Sequence, residues 1–206
     1  MVSVKEKPGK VGTDSGGRVK VDKWTISIQT NPGNRAMPMQ KIKLEIANIP
    51  ARTRELVPLI ANYESARALP TVYVNTETLN EIMADKVLAF PTALLDNHGQ
   101  PVELDSAKIR HRDIWDLSWM SQKGAKLDPL LVVAKIGDYG VEGYGPMLDR
   151  AIERLPDIVQ SPQFGAQMTR FIDNATVAKT ISNPAYLSYL ATALVTLFSQ
   201  MRAALP

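Results

Sequence analysis

At 206 residues, 45% apolar and 22% charged, the chain has the length and composition of a globular domain with a buried core, which excludes global disorder. It has no cysteine and only two histidines, His98 and His111. Disulfides, thiol catalysis, iron–sulfur clusters and Cys- or His-rich metal sites are therefore set aside, and neither a metal nor a cofactor is expected. The formal charge of +3 hides an asymmetry: residues 1–54 hold eleven Lys or Arg against four acidic residues, a net +7, so the remainder carries −4. A basic segment ahead of an acidic body suits polyanion binding or head-to-tail contact between copies, and equally a solvated tail.

Residues 1–20, with Gly, Pro, Ser and Lys in place of an apolar core, read as a flexible basic arm and not as a secretory signal. Next, Trp24-Thr25-Ile26-Ser27-Ile28 and Ile42-Lys43-Leu44-Glu45-Ile46 alternate at the period of strands. Asn31-Pro32-Gly33-Asn34 supplies turn chemistry between them. The predicted hairpin has one apolar face, a second face with Lys41 and Lys43, and Arg35 near its tip. This tryptophan-led hairpin with a Pro-Gly-Asn-Arg turn resembles one in some bunyavirus nucleoproteins over about a dozen residues; the flanking sequence does not follow.

A helix is expected next, with Leu59, Ile60, Tyr63 and Ala66 on one face and Pro70 ending it. Thr71–Val74 reads as a short strand, and Thr78 with Glu81 fits a capping box opening a short helix through Leu79, Ile82 and Met83. Phe90-Pro91-Thr92, an apolar run, the Asn97-His98-Gly99 turn and a second run then read as a hairpin. Over 40–105 this order resembles the thioredoxin fold, with Pro91 matching that family's cis-proline. "IPARTREL" stands where the family's Cys-x-x-Cys would open the first helix, so the resemblance implies a scaffold without redox activity.

Asp96, His98, Glu103 and Asp105 are potential acid–base groups, although turns favour Asp and Asn for structural reasons. Lys108, Arg110, His111 and Arg112 form a basic cluster before Trp115 and Trp119, which share a helical face. Such a cluster can hold phosphates and stack bases, or the tryptophans can belong to the core. "LLVVAKI", 130–136, reads as a buried strand, and 137–145 as a Gly/Tyr loop without phosphate-loop or Rossmann spacing. Its Tyr139 and Tyr144 are candidates for subunit packing or base stacking, or the loop simply connects two halves.

From Pro146 the pattern is helical, with Leu148, Ala151, Ile152 and Leu155 forming one stripe before Pro156, and Phe164, Met168, Phe171 and Ile172 turned inward after Ser161-Pro162. A last helix begins at Asn183-Pro184. Its Leu187, Leu190, Leu194, Leu197 and Met201 follow a coiled-coil-like spacing, and Tyr186 and Phe198 widen the apolar surface. Ser188, Thr192, Thr196, Ser199 and Gln200 argue against a membrane span and for a subunit contact.

The sequence thus predicts an α+β protein, with a hairpin-containing N-terminal half followed by a helical C-terminal half. The expected divisions are an arm at 1–20, a mixed core at 21–136, a loop at 137–145 and a helical region at 146–206. No catalytic constellation is evident, so the expected function is that of a non-enzymatic, self-assembling nucleocapsid or coat-type protein, located in the cytoplasm or a virus particle. It would bind single-stranded nucleic acid, RNA in the first instance, through Lys5, Lys7, Lys10, Arg18, Lys20, Lys23, Arg35, Lys41, Lys43, Arg52, Arg54, Lys108, Arg110 and Arg112. The alternative is a non-redox thioredoxin-like or α+β accessory domain that binds another protein.

Overall fold

The computed structural model describes residues 2–5, 21–29, 31, 34, 37–60, 64–68, 70–96 and 98–205. The chain divides into two compact units, residues 1–50 with 138–140, and residues 51–137 with 141–206. The first carries an antiparallel sheet in the order β1 (Val2–Lys5), β2 (Val21–Ile28) and β3 (Gln40–Ala47). Of the arm expected at 1–20, only β1 falls among the described residues. The β2–β3 register sets Trp24 opposite Leu44 and Ile26 opposite Ile42, so alternation puts these residues and Ile46 on one face. Lys23, Lys41, Lys43 and Glu45 share the other face. No described residue of this unit is buried.

The second unit opens with a two-stranded antiparallel hairpin, β4 (Arg54–Pro58) and β5 (Tyr73–Glu77). Of the helix expected around 59–66, Leu59 and Ile60 are not helical, Tyr63 lies outside the described residues and α1 spans Glu64–Arg67; ahead of it Leu56 and Val57 pair in β4 across from Asn75 and Val74. Helix α2 (Leu79–Thr92) starts as the capping spacing requires, with the Glu81 amide donating to Thr78 Oγ1 at 3.2 Å. It then runs through Pro91, where a strand-flanking cis-proline was expected. There is no cis peptide bond among the described residues, and both sheets are antiparallel, so the thioredoxin-like order is not reproduced. The following turn survives, reduced to a single bridge between Leu95 and Pro101, with the His98 and Gln100 amides each donating to Asp96 Oδ1 at 2.8 Å.

The rest is helical: α3 (His111–Gln122), α4 (Pro129–Tyr139), α5 (Tyr144–Gln160), α6 (Pro162–Met168), α7 (Asn174–Lys179) and α8 (Pro184–Ala203). "LLVVAKI" is helix, not strand: Asp128 Oδ1 accepts from the Leu130 and Leu131 amides, and Leu131, Val132 and Lys135 turn inward while Leu130 is 82% exposed. Asn183 caps α8 and Ser161 caps α6 through side-chain oxygens. Helices α2, α3, α5, α6 and α8 enclose one core, in which the Phe90 and Phe198 rings stack with centroids 5.5 Å apart. Tyr144, expected in an open loop, is buried, and its hydroxyl donates to the Val87 carbonyl at 2.6 Å. Among the described residues no helix is long and apolar enough to cross a membrane.

Candidate active site

Helix α2 sends two successive side chains, Asp85 and Lys86, to different partners, and each belongs to a charged cluster. Glu81 and Asp85, four residues apart, share one side of α2, and Glu77 at the end of β5 joins them, so that carboxylate oxygens of all three lie within 4.8 Å of one another. Lys135 of α4, fully buried, answers them: its Nζ is 2.6 Å from Glu81 Oε1 and 2.9 Å from Asp85 Oδ2. Glu81 also accepts from the Thr53 amide at 2.9 Å and the Arg52 amide at 3.2 Å. Burial pushes its carboxyl up, but the bonds from Lys135, Thr53 and Arg52 outweigh this and hold it down at about 2. Glu77 has its pKa raised by burial and by the neighbouring Asp85 charge.

The second cluster faces a cleft of about 470 Å³ between α2, α3 and α6. Lys86 Nζ donates to Asp113 Oδ1 and Asp116 Oδ2, both at 2.8 Å. Asp113, nearly buried, also takes a hydrogen bond from Arg110 Nε, while Arg112 Nε lies 3.8 Å from Asp116 Oδ2. The three-residue step from Asp113 to Asp116 puts both carboxylates on the side of α3 that meets α2. Burial works against the charge on Lys86, but the two aspartates prevail and raise its pKa, keeping the ammonium charged. Arg110 and Arg112 are 51% and 66% exposed at the side chain, so the cationic groups reach the mouth of the cleft while the carboxylates sit deeper.

A family model described as "Nucleotidyl transferase AbiEii toxin, Type IV TA system" matches residues 2–191 of this chain. The chain belongs to that family. No curated protein and no solved structure matches it. Membership in the AbiEii family overturns three expectations: the nucleocapsid or coat-type function, the structural and viral assignment, and the absence of enzyme activity, since the family is one of toxins that transfer nucleotidyl groups. The nucleoprotein-like hairpin is too short a likeness to stand against a match over nearly the whole chain.

Nucleotidyl transfer commonly draws on carboxylate-bound divalent cations. A lysine ammonium competes for the carboxylates of both groups: Lys135 lies within hydrogen-bond distance of Glu81 and Asp85, and Lys86 of Asp113 and Asp116. These four carboxylates hold a lysine in place, and Glu77 completes a triad of carboxylates whose oxygens lie close enough together to share a cation.

The basic residues expected to bind nucleic acid fall in both units. In this AbiEii-family chain Lys7, Lys10, Arg18, Lys20 and Arg35 lie outside the described residues, and Lys5 is in β1. Lys23 pairs with Glu45 at 2.8 Å, on the same sheet face as Lys41 and Lys43. Arg54 donates through Nε to the Ala51 carbonyl at 3.0 Å, and Arg52 offers its amide to Glu81. Of the whole set, Arg110 and Arg112 line the cleft, with Lys108 just before it.

His111 departs from the cationic role expected of it. It is 6% exposed, and burial lowers its pKa against the opposing pull of a backbone hydrogen bond at Ile109. His98 and Asp96 build the turn, the His98 amide donating to Asp96 Oδ1. Of the expected subunit-contact residues, Leu190, Leu194, Phe198 and Met201 are taken up by the chain's own core, because α8 packs along α5, and Tyr186, Leu187 and Leu197 are half-buried against that core.

Sequence reasoning gave Glu81 a capping role alone and passed over Lys86, Asp113, Asp116, Asp85 and Lys135. A signal existed for two of them. Glu81 lies on the same helical stripe as Ala84 and Leu88, and Lys135 interrupts an apolar run; a charge on an apolar stripe must be paired.

Proposed function

We propose that this chain acts as a nucleotidyl transferase toxin and that the cleft between α2, α3 and α6 holds phosphate groups of its substrates. The observation that carries the reading is the family match over residues 2–191. The transfer forms a bond from an acceptor hydroxyl to the α-phosphorus of a nucleoside triphosphate and releases pyrophosphate. Little covalent work falls to the protein in such a reaction; it must position the reactants and offset charge spread over phosphate oxygens. The cleft offers what that needs: Arg110 and Arg112 at the mouth, and Lys86 fixed by two carboxylates. The buried Asp113 and half-buried Asp116 orient the cations, and leave the site with one net positive charge to attract a polyanion.

The test is transfer itself. The full chain is incubated with each of the four α-labelled ribonucleoside triphosphates and total cellular RNA, then with cellular protein. Label is expected in one acceptor class, and its appearance should fall at least 10-fold with Arg112→Ala and with Arg110→Ala. Absence of transfer with every triphosphate and both acceptors, in a chain shown to be folded, would overturn the reading.

A further inference from the structure

One wall of the cleft is aromatic, and nothing in the charge arrangement calls for that. α6 stops at Met168, and the chain turns back through a bond from the Phe171 amide to the Met168 carbonyl at 3.0 Å. Buried Met168 anchors the turn, whereas Phe171, expected from sequence to point inward, is 61% exposed. The ring thus stands open at the rim of a cationic cleft, among the residues that line it. The guanidinium of Arg112 lies over this ring, 5.1 Å from its centroid, and the same residue pairs with Asp116. The ring is thus held beside one of the phosphate-holding groups. His111, which also lines the cleft and is only 6% exposed, has a buried Nε2 with no hydrogen-bond partner among the described residues.

We infer that Phe171 is a base-stacking platform, so that the cleft takes one unpaired nucleotide, its phosphate on Arg110, Arg112 and Lys86 and its base on the Phe171 ring. This rests on the phosphate-holding reading above and adds the base to it. A cleft of about 470 Å³ has room for such a ligand. Stacking accepts any base, since every base offers a π-face, so the platform contributes affinity and position with little sequence preference. An unpaired nucleotide reaches the cleft either as a free triphosphate or as the end of a single strand.

Two probes and two variants separate the possibilities. Inorganic tripolyphosphate reports the cations alone; a single-stranded RNA tetranucleotide and a free triphosphate, each carrying 2-aminopurine, report stacking through quenching of their fluorescence. Phe171→Ala should weaken at least one fluorescent probe roughly 10- to 100-fold and abolish its quenching, while leaving tripolyphosphate affinity unchanged; Phe171→Trp should restore both. Whichever probe responds identifies the source of the nucleotide. If Phe171→Ala binds and quenches both fluorescent probes like the parent while Arg112→Ala still loses tripolyphosphate, the platform is refuted and the phosphate-holding reading stands. Failure of the parent protein to bind tripolyphosphate at all would instead refute the reading beneath it.

Discussion

Lys135 Nζ sits 2.6 Å from Glu81 Oε1, with 1% and 0% of the two side chains exposed. Two ions so thoroughly removed from water are costly apart and tolerable together. Lys135→Met should therefore destabilise the fold by about 3–5 kcal/mol, because it leaves Glu81 and Asp85 charged and facing each other. The double variant Lys135→Met with Glu81→Leu should recover much of that loss. Urea unfolding of the parent, the two single variants and the double variant measures the coupling; a double variant that loses the sum of the singles would mean that the pair is not coupled.

The same contact sets an acid limit. Glu81 titrates at about 2 in the folded chain against an ordinary value of 4.5, so the unfolded chain takes up the proton first. Its contribution is complete above pH 4.5 and is lost as the pH falls toward 2, on the order of 3 kcal/mol over that window. Glu77, shifted upward, opposes this over the range just above its ordinary value. Unfolding free energies from about pH 7 to about pH 3 should fall for the parent and fall less for Glu81→Gln; equal slopes would show that another group governs acid unfolding.

What sequence made legible here was local. Thr78, Ser161-Pro162 and Asn183-Pro184 each announce a helix start within four residues, and the Trp24 and Leu44 alternation fixes the register of a hairpin. Residues 130–136 misled because a short apolar run has the same composition in a buried strand and in a helix face; the capping Asp128 was the discriminating residue. Pro91 misled in the opposite way, being tolerated inside α2. The candidate site lay beyond reach because its partners are remote, Lys135 and Asp85 standing 50 positions apart, Lys86 and Asp113 27. Only tertiary packing brings such charges together; the pattern marks Glu81 and Lys135 as charges in need of partners and does not say which partners they find.

Two glycines should respond to alanine with opposite signs. Gly143 caps the start of α5 at φ +67, a left-handed conformation that an L side chain adopts only with strain, and no neighbour lies near the position a Cβ would take. Gly143→Ala should thus cost about 1–2 kcal/mol from the backbone alone. Gly137 lies in α4 with open space around it and no positive φ, so Gly137→Ala should stabilise by roughly 0.5–1 kcal/mol. Thermal midpoints moving in the same direction for both would contradict these conformations.

Phe198 stacks on Phe90 inside the chain, so α8 is a core helix before it is anything else. Phe198→Ala should cost about 3–5 kcal/mol through lost burial and the cavity left behind. The loss should be independent of protein concentration in urea unfolding across a roughly 50-fold range, as an intrachain contact requires. A loss that grows as concentration rises would place Phe198 in a subunit contact after all.

Arg110 and Arg112 hold the exposed charge of the cleft, and charge that neutralises phosphate releases counterions when it binds. Binding of a single-stranded RNA oligonucleotide should consequently weaken as salt rises, with log K falling linearly in log salt. Arg112→Ala should reduce the magnitude of that slope by about 1 and weaken binding by a similar factor for every sequence tested, because a phosphate contact carries no base information. Lys41→Ala, on the exposed face of β3 in the other unit, provides the comparison. A slope that drops for Lys41→Ala and holds for Arg112→Ala would move the polyanion site from the cleft to the sheet.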